Sequence, residues 1–223
     1  MRSIMQLTAV LALGLLVGAA TAAERGKARQ LFNGQNLDGW EAFLVEPGVK
    51  MEDVWSVKDG VLVCKGEPMG YLATKQNFTS FKLVVEWRWP EKPGNSGVLM
   101  RITGEPKALP KCVEAQLKHG NAGDVYGFHG FKLSGDESRM RRVENHELAG
   151  TLVGVSAMKD AEKPAGEWNT YEIALKGGTL SVKVNGEKVN EATDVDVVAG
   201  KIALQSEGGV IHIRKVELTP LAD

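Results

Sequence analysis

In the stretch KCVEAQLKHG, residues 111 to 120, Glu114, Gln116 and Lys118 alternate with Val113, Ala115 and Leu117, and His119 follows. Successive side chains of an extended strand point to opposite faces, so the three polar groups share one face and the three apolar ones the other. The polar face is either a solvated sheet surface or the floor of a binding site. Glu114 is the first candidate for an acid, a base or a metal ligand. Gln116 can donate and accept hydrogen bonds beside it, and Arg101, from the preceding polar-facing strand position, could pair with Glu114 or receive a substrate oxygen. His119, as an imidazole, is a candidate proton carrier or metal ligand, although no HExxH or close His/Cys set accompanies it. Asp124 and His129 are possible partners from the segment that follows.

Other residue types fit the same chemistry. Asn95 and Ser96 of GNSG, 94 to 97, either form a tight turn or offer hydrogen bonds to a polyol. The segment LQSEGGVIHIR supplies Gln205, Glu207, His212 and Arg214, with His212 and Arg214 opposite Ile211 and Ile213. Trp168, after Gly166-Glu167 at a loop-to-strand transition, suits a rim that stacks on sugar rings, whereas the parity of Trp87 and Trp89 suits core packing. Neither a GxxxxGK phosphate cradle nor a GxSxG nucleophile elbow is present. These features describe a carbohydrate-sized polar site without selecting a reaction.

Short strands must position these groups. FKLVVEWRW puts Phe81, Leu83, Val85, Trp87 and Trp89 on one parity, with Lys82, Glu86 and Arg88 on the other. Asp59-Gly60 and Asn185-Gly186 each sit between strand-like arms, a strong hairpin signal, and Gly177-Gly178 marks another turn. Further strands are expected over Gly97 to Ile102, Cys112 to Lys118, Trp168 to Leu175, Leu180 to Asn185, Lys201 to Gln205 and Val210 to Leu218. No long amphipathic helix is found; Ser138 to Glu147 could hold a short one, but its charges define no apolar stripe. Arg139, Arg141 and Arg142 in that segment, followed by Glu144 and Glu147, read as a solvated edge or turn before a phosphate or anion site. Gly120 to Gly135, rich in glycine and carrying Tyr126, Phe128, His129 and Phe131, is either a connection pinned by aromatic packing or a binding loop. Many antiparallel strands with tight turns predict an all-β sandwich of two packed sheets.

The chain opens with a basic residue, an apolar run from about Leu7 to Val17, and Ala20-Thr21-Ala22. That is the layout of a secretory signal over 1 to 22, cleaved after Ala22. The apolar run is short of the ~20 residues that span a bilayer, so no stable membrane insertion is expected after signal removal. Residues 23 to 223 then form a single exported domain, periplasmic or extracellular. A net charge of -1 with interspersed signs gives no electrostatic case for a nucleic-acid partner. Cys64 and Cys112, in an exported protein, could form one disulfide or remain as buried thiols.

The ordered set LFNGQNLDGW, WSVKDGVLV, GNSGVLMRI, VEAQLK, GEWNTYEI, VNG and GKIALQSEGGVIHIRKVEL, from Gln30 to Leu218, resembles the 3-keto-disaccharide hydrolase domain family. The resemblance implies a concanavalin A-like, lectin/glucanase-type jelly roll of two antiparallel sheets with a cleft on its concave face. It implies a carbohydrate or glycoside ligand and cleavage of glycosides already oxidised at C3, by C2 deprotonation, elimination and hydration. A metal or hydrogen-bond donor near the C3 oxygen would stabilise the developing enolate, which makes a divalent metal a candidate cofactor. Carried onto VEAQLK, the resemblance makes Glu114 a base or metal ligand and His119 the second proton carrier. Gln116, Arg101, Lys118 and Gln205 then orient sugar oxygens, with Asn95, Trp168 and His212 as further substrate contacts. The family pattern often places an Asp shortly after the VEAQL equivalent, where this chain has Lys118-His119-Gly120, so its ligand set departs from the pattern. A non-catalytic carbohydrate-binding module, a structural interaction domain and a conventional endoglucanase are the competing readings.

Overall fold

The computed structural model describes residues 26 to 222; the expected signal segment lies outside the described residues. The strands in chain order are β1 (Arg29–Gln30), β2 (Trp40–Leu44), β3 (Trp55–Lys58), β4 (Val61–Cys64), β5 (Gly70–Thr74), β6 (Phe81–Arg88), β7 (Gly97–Thr103) and β8 (Lys111–Gln116). There follow β9 (Val125–Gly127), β10 (Met140–His146), β11 (Gly150–Val155), β12 (Asn169–Lys176), β13 (Thr179–Val184), β14 (Glu187–Ala192), β15 (Lys201–Ser206) and β16 (Ile211–Pro220). A single helical turn, α1 (Met51–Val54), precedes β3. No helix among the described residues is long and apolar enough to cross a membrane.

Two antiparallel sheets stack in a concanavalin A-like jelly roll. The first runs β14-β13-β12-β6-β16-β4-β3, with β1 also pairing to β16; the second runs β10-β11-β9-β8-β7-β15-β5-β2. Alternation dictates which faces meet. Phe81, Leu83, Val85 and Trp87 of β6 are fully buried, as are Tyr171, Ile173 and Leu175 of β12. They pack against Val98 and Met100 of β7, Val113 and Ala115 of β8, and Ile202 and Leu204 of β15 in one core cluster. Burial of each large apolar side chain contributes about 1.5–3 kcal/mol.

The tight turns form where the sequence puts them. Asp59 (φ 51°) and Gly60 (φ 77°) join β3 to β4, and Asn185 (φ 52°) and Gly186 (φ 85°) join β13 to β14. Both residues of each pair have positive φ, as the twist-matched two-residue hairpin requires. Ser138 to Glu147 is a different matter. It is not a helix beyond a 3-10 turn at Glu137–Arg139, and continues as β10, the edge strand of the second sheet. Cys64 and Cys112 are free thiols, so the candidate bridge is absent; Cys64 lies in the main core and Cys112 in a separate cluster.

That separate cluster covers part of the outer face of the second sheet. Leu99, Cys112, Tyr126, Tyr71, Ala73 and Ala203 belong to it, roofed by Leu109, Phe128 and Ala149. Glu114 shares the parity of Cys112, so it emerges on this outer face, beside the second cluster and away from the main core.

Candidate functional site

A row of paired residues crosses the outer face of the second sheet. Arg141 faces Gly154, Gly154 faces Tyr126, Tyr126 faces Glu114, and Glu114 faces Leu99. Above Glu114 lies a cavity of about 320 Å³. Glu114, Gln116 and Lys118 line it together with Asn95, Asn121, Asp124, Tyr126 and Glu207. Arg141, His146, Leu148 and Leu152, from β10, β11 and the turn between them, form one wall, and Leu109 and Phe128 add apolar surface.

Glu114 is 1% exposed and its Oε1 has no hydrogen-bond partner. Burial pushes its carboxyl well above the ordinary range, and the nearby charges of Glu207 and Asp124 push it further. Gly97, opposite Gln116 on β7, makes room for it: a Cβ at Gly97 would collide with Glu114 Oε1 and lie 2.6 Å from Gln205 Oε1. The two side chains therefore converge on one glycine. Both polar atoms of the Gln205 amide, and Asn95 Oδ1, are likewise buried without partners. Buried polar groups are ordinarily hydrogen-bonded, so this convergence leaves several polar atoms available to a ligand.

The neighbouring groups are held more firmly. Gln116 Oε1 accepts from the backbone N–H groups of Leu117 (2.9 Å) and Lys118 (2.8 Å). Asp124 accepts from the Tyr126 hydroxyl (2.8 Å) and the Ala157 N–H (2.7 Å), so both of its oxygens are engaged. Arg141 donates to the Tyr126 hydroxyl and lies over its ring, 4.7 Å from the centroid. Glu207 is half-buried; burial raises its carboxyl, and the charge of Lys118 opposes the rise.

Four expected site residues are placed elsewhere. Arg101 is fully buried, and its guanidinium donates to the carbonyls of Thr79, Gly177 and Asp196. The cause is local: Arg101 has φ 54°, and the β7 register shifts between Met100 and Thr103, so strict alternation fails there. His119 does not line the cavity. Its Nδ1 lies 3.0 Å from Glu162 Oε2, while Glu162 also accepts from Gly120 N–H and Trp89 Nε1. Trp168 is stacked between Arg88 (4.7 Å) and Arg214 (4.4 Å), and the Arg88 guanidinium donates to His212 Nδ1 at 3.3 Å. That cluster belongs to β6, β16 and the approach to β12, in the first sheet, so neither Trp168 nor His212 reaches Glu114. His129, the loop partner considered for His119, instead contacts the Leu109 carbonyl through Nε2 at 2.8 Å.

Asn121 and His146 line the cavity without having been singled out from the sequence, and Glu207 and Arg141 join them there. Glu207 is among the polar residues that LQSEGGVIHIR offers, at the parity of Gln205; Arg141 reads from the sequence as part of a solvated edge or turn. Among the described residues no group of three or more His, Cys, Asp or Glu is arranged to hold a metal ion.

The model of the 3-keto-alpha-glucoside-1,2-lyase-like domain matches residues 27–219. A 3-keto-disaccharide hydrolase of Bacteroides thetaiotaomicron is 26% identical over 180 residues, covering 72% of this chain and 57% of that protein. The chain thus spans little more than half the length of that curated relative. Among solved structures, a candidate glycosyl hydrolase from Parabacteroides distasonis superposes with a TM-score of 0.64 at 22% identity, covering 87% of this chain and 94% of that one. A carbohydrate-binding module from Bacillus subtilis superposes with a TM-score of 0.55 at 10% identity, covering 80% of this chain and 94% of that one. At these identities the two likenesses speak for the fold alone. With the family model matched from β1 to β16, the chain belongs to the 3-keto-alpha-glucoside-1,2-lyase-like domain family.

Proposed function

We propose that the protein cleaves glycosides carrying a ketone at C3, by removal of the C2 proton, loss of the C1 substituent and hydration of the resulting enone, and that it does so outside the cytoplasm. The ketone acidifies the C2 proton, so the chemistry needs a proton-handling group and hydrogen-bond donors rather than the acid and nucleophile flanking C1 of an ordinary glycosidase. The observation that carries this reading is Glu114, a buried carboxyl with an unpartnered oxygen at the floor of a polar cavity. Its burial raises the carboxyl above its ordinary range, the direction in which catalytic carboxyls are tuned. Gln205 and Gln116 supply amide donors for the C3 oxygen and the sugar hydroxyls, and Lys118 adds a cation at the rim.

The test is mass spectrometry of products from 3-keto-disaccharides and their unoxidised parents, with and without chelator. Release of the 3-keto sugar from the oxidised substrate alone is the expected result, and Glu114→Gln should lower turnover by about 10²–10⁴-fold with the fold retained. Binding of unmodified glycans with no cleavage of either substrate would establish a carbohydrate-binding module instead. Loss of activity on chelation would bring a divalent metal into the reaction.

A further inference from the structure

We propose that Glu207 is the second proton-transfer residue of the cleft, accepting the C2 proton of the 3-keto sugar while Glu114 delivers a proton to the departing C1 oxygen. This rests on the cleavage reading above and divides its proton transfers between two groups. Both carboxyls line one cavity, in unlike surroundings. Glu114 stands in the middle of β8 between Leu99 and Tyr126, 1% exposed, and its Oε1 contacts no donor. Glu207 stands just past the end of β15, half-buried, with Lys118 lining the same cavity.

The remaining charged or titratable groups of the cavity do not upset this division. Asp124 is tied to Tyr126 and Ala157, Arg141 lies on Tyr126, and His146 Nδ1 accepts from the Leu148 and Ala149 N–H groups. Glu207 also borders a neighbouring hollow lined by Glu46 and Glu67. Two carboxyls in one site with different environments separate into an acid and a base, and each resists ionisation while the other is charged. The proton shared by the pair therefore rests on the buried member, giving Glu114 the acid's part and Glu207 the base's.

The steps balance. Glu207 carboxylate takes the C2 proton, the C2–H electron pair becomes the C1=C2 bond, and the C1–O bond breaks as its oxygen takes the Glu114 proton. Water then adds to C1, giving its proton to Glu114, while Glu207 returns a proton to C2. Both residues end as they began, and the net change is hydrolysis.

The experiment compares the wild-type protein, Glu207→Gln, Glu114→Gln and Glu207→Ala on 3-keto-glucosides with a 4-nitrophenyl or a methyl leaving group. It is run in D2O, with C2 deuterium read in the products. Glu207→Gln is expected to lower kcat by about 10²–10⁴-fold on both substrates and to suppress C2 labelling. Glu114→Gln should lose the methyl glucoside but keep far more activity on the nitrophenyl one, whose leaving group needs no proton. Added formate should restore part of the activity of Glu207→Ala. Wild-type turnover and labelling in Glu207→Gln would overturn the assignment alone, as would a Glu207→Ala loss that formate does not relieve. A wild-type protein inert toward both substrates would overturn the cleavage reading with it.

Discussion

Glu114 is a carboxyl placed where ionisation is unfavourable. Burial, then the charges of Glu207 and Asp124, raise it well above an ordinary value of 4.5. The folded state therefore holds the proton more tightly than the unfolded chain does. The stability contributed by the neutral carboxyl is fully present below about pH 4.5, and is lost as pH rises through the folded value. Glu114→Gln, which stays neutral, should match the wild-type unfolding free energy near pH 4 and exceed it increasingly toward pH 8, by at most about 1.4 kcal/mol per pH unit. Unfolding midpoints that differ by the same amount at both pH values would show that Glu114 is not held neutral by the fold. The facing of this residue was legible in the sequence because Val113, Ala115 and Leu117 are unbroken core positions and fix the opposite parity. The identity of its partners was not: Glu207 is brought to the cavity by the end of a strand more than ninety residues away, and no spacing along the chain encodes that meeting.

At the scale of elements, one irregular residue decides where a cation goes. Parity counted back through GVLMRI would leave Arg101 on the cleft face with Leu99 and Gly97; the shift in register at φ 54° instead turns it to the Thr79, Gly177 and Asp196 carbonyls. Arg101→Met should destabilise the protein by about 1–3 kcal/mol for each carbonyl left without a donor, while the protein that remains folded keeps its kcat. Denaturant unfolding alongside active-site-normalised turnover checks both parts, and reduced turnover at unchanged stability would return Arg101 to the cleft. A positive φ at an arginine leaves no mark in sequence, whereas the Asp59-Gly60 and Asn185-Gly186 turns do, because glycine, asparagine and aspartate are the residues that adopt it at least cost. Trp168 and His212 illustrate the other limit. The parity of His212 against Ile211 and Ile213 and the rim position of Trp168 both point away from the core, yet a sandwich has two outer faces, and alternation does not say which sheet a strand joins.

In the whole molecule, two apolar clusters lie on opposite faces of the second sheet, and each holds one cysteine. Burial raises both thiols, and the charge of Glu114 raises Cys112 further, so neither is poised to react. The unfolding midpoint should be unchanged by reductant, and a thiol reagent should count two reactive groups only after denaturation; a midpoint that falls on reduction would reveal a bridge. The sandwich itself was legible from short alternating strands and paired turns, since both are local. For β10 the sequence left a solvated edge and a turn as alternatives, because its arginines and glutamates satisfy a turn as well as a strand open to water. Strands β7, β8 and β15 bury their other faces in the core, so a change of floor residue is also a change beside the core; β10 is largely exposed and carries no such double duty. Substitutions over 141 to 152 can thus reshape one wall of the cavity while the floor residues on β7, β8 and β15 stay unchanged, so that what the cavity admits can diversify by exchange of a single hairpin.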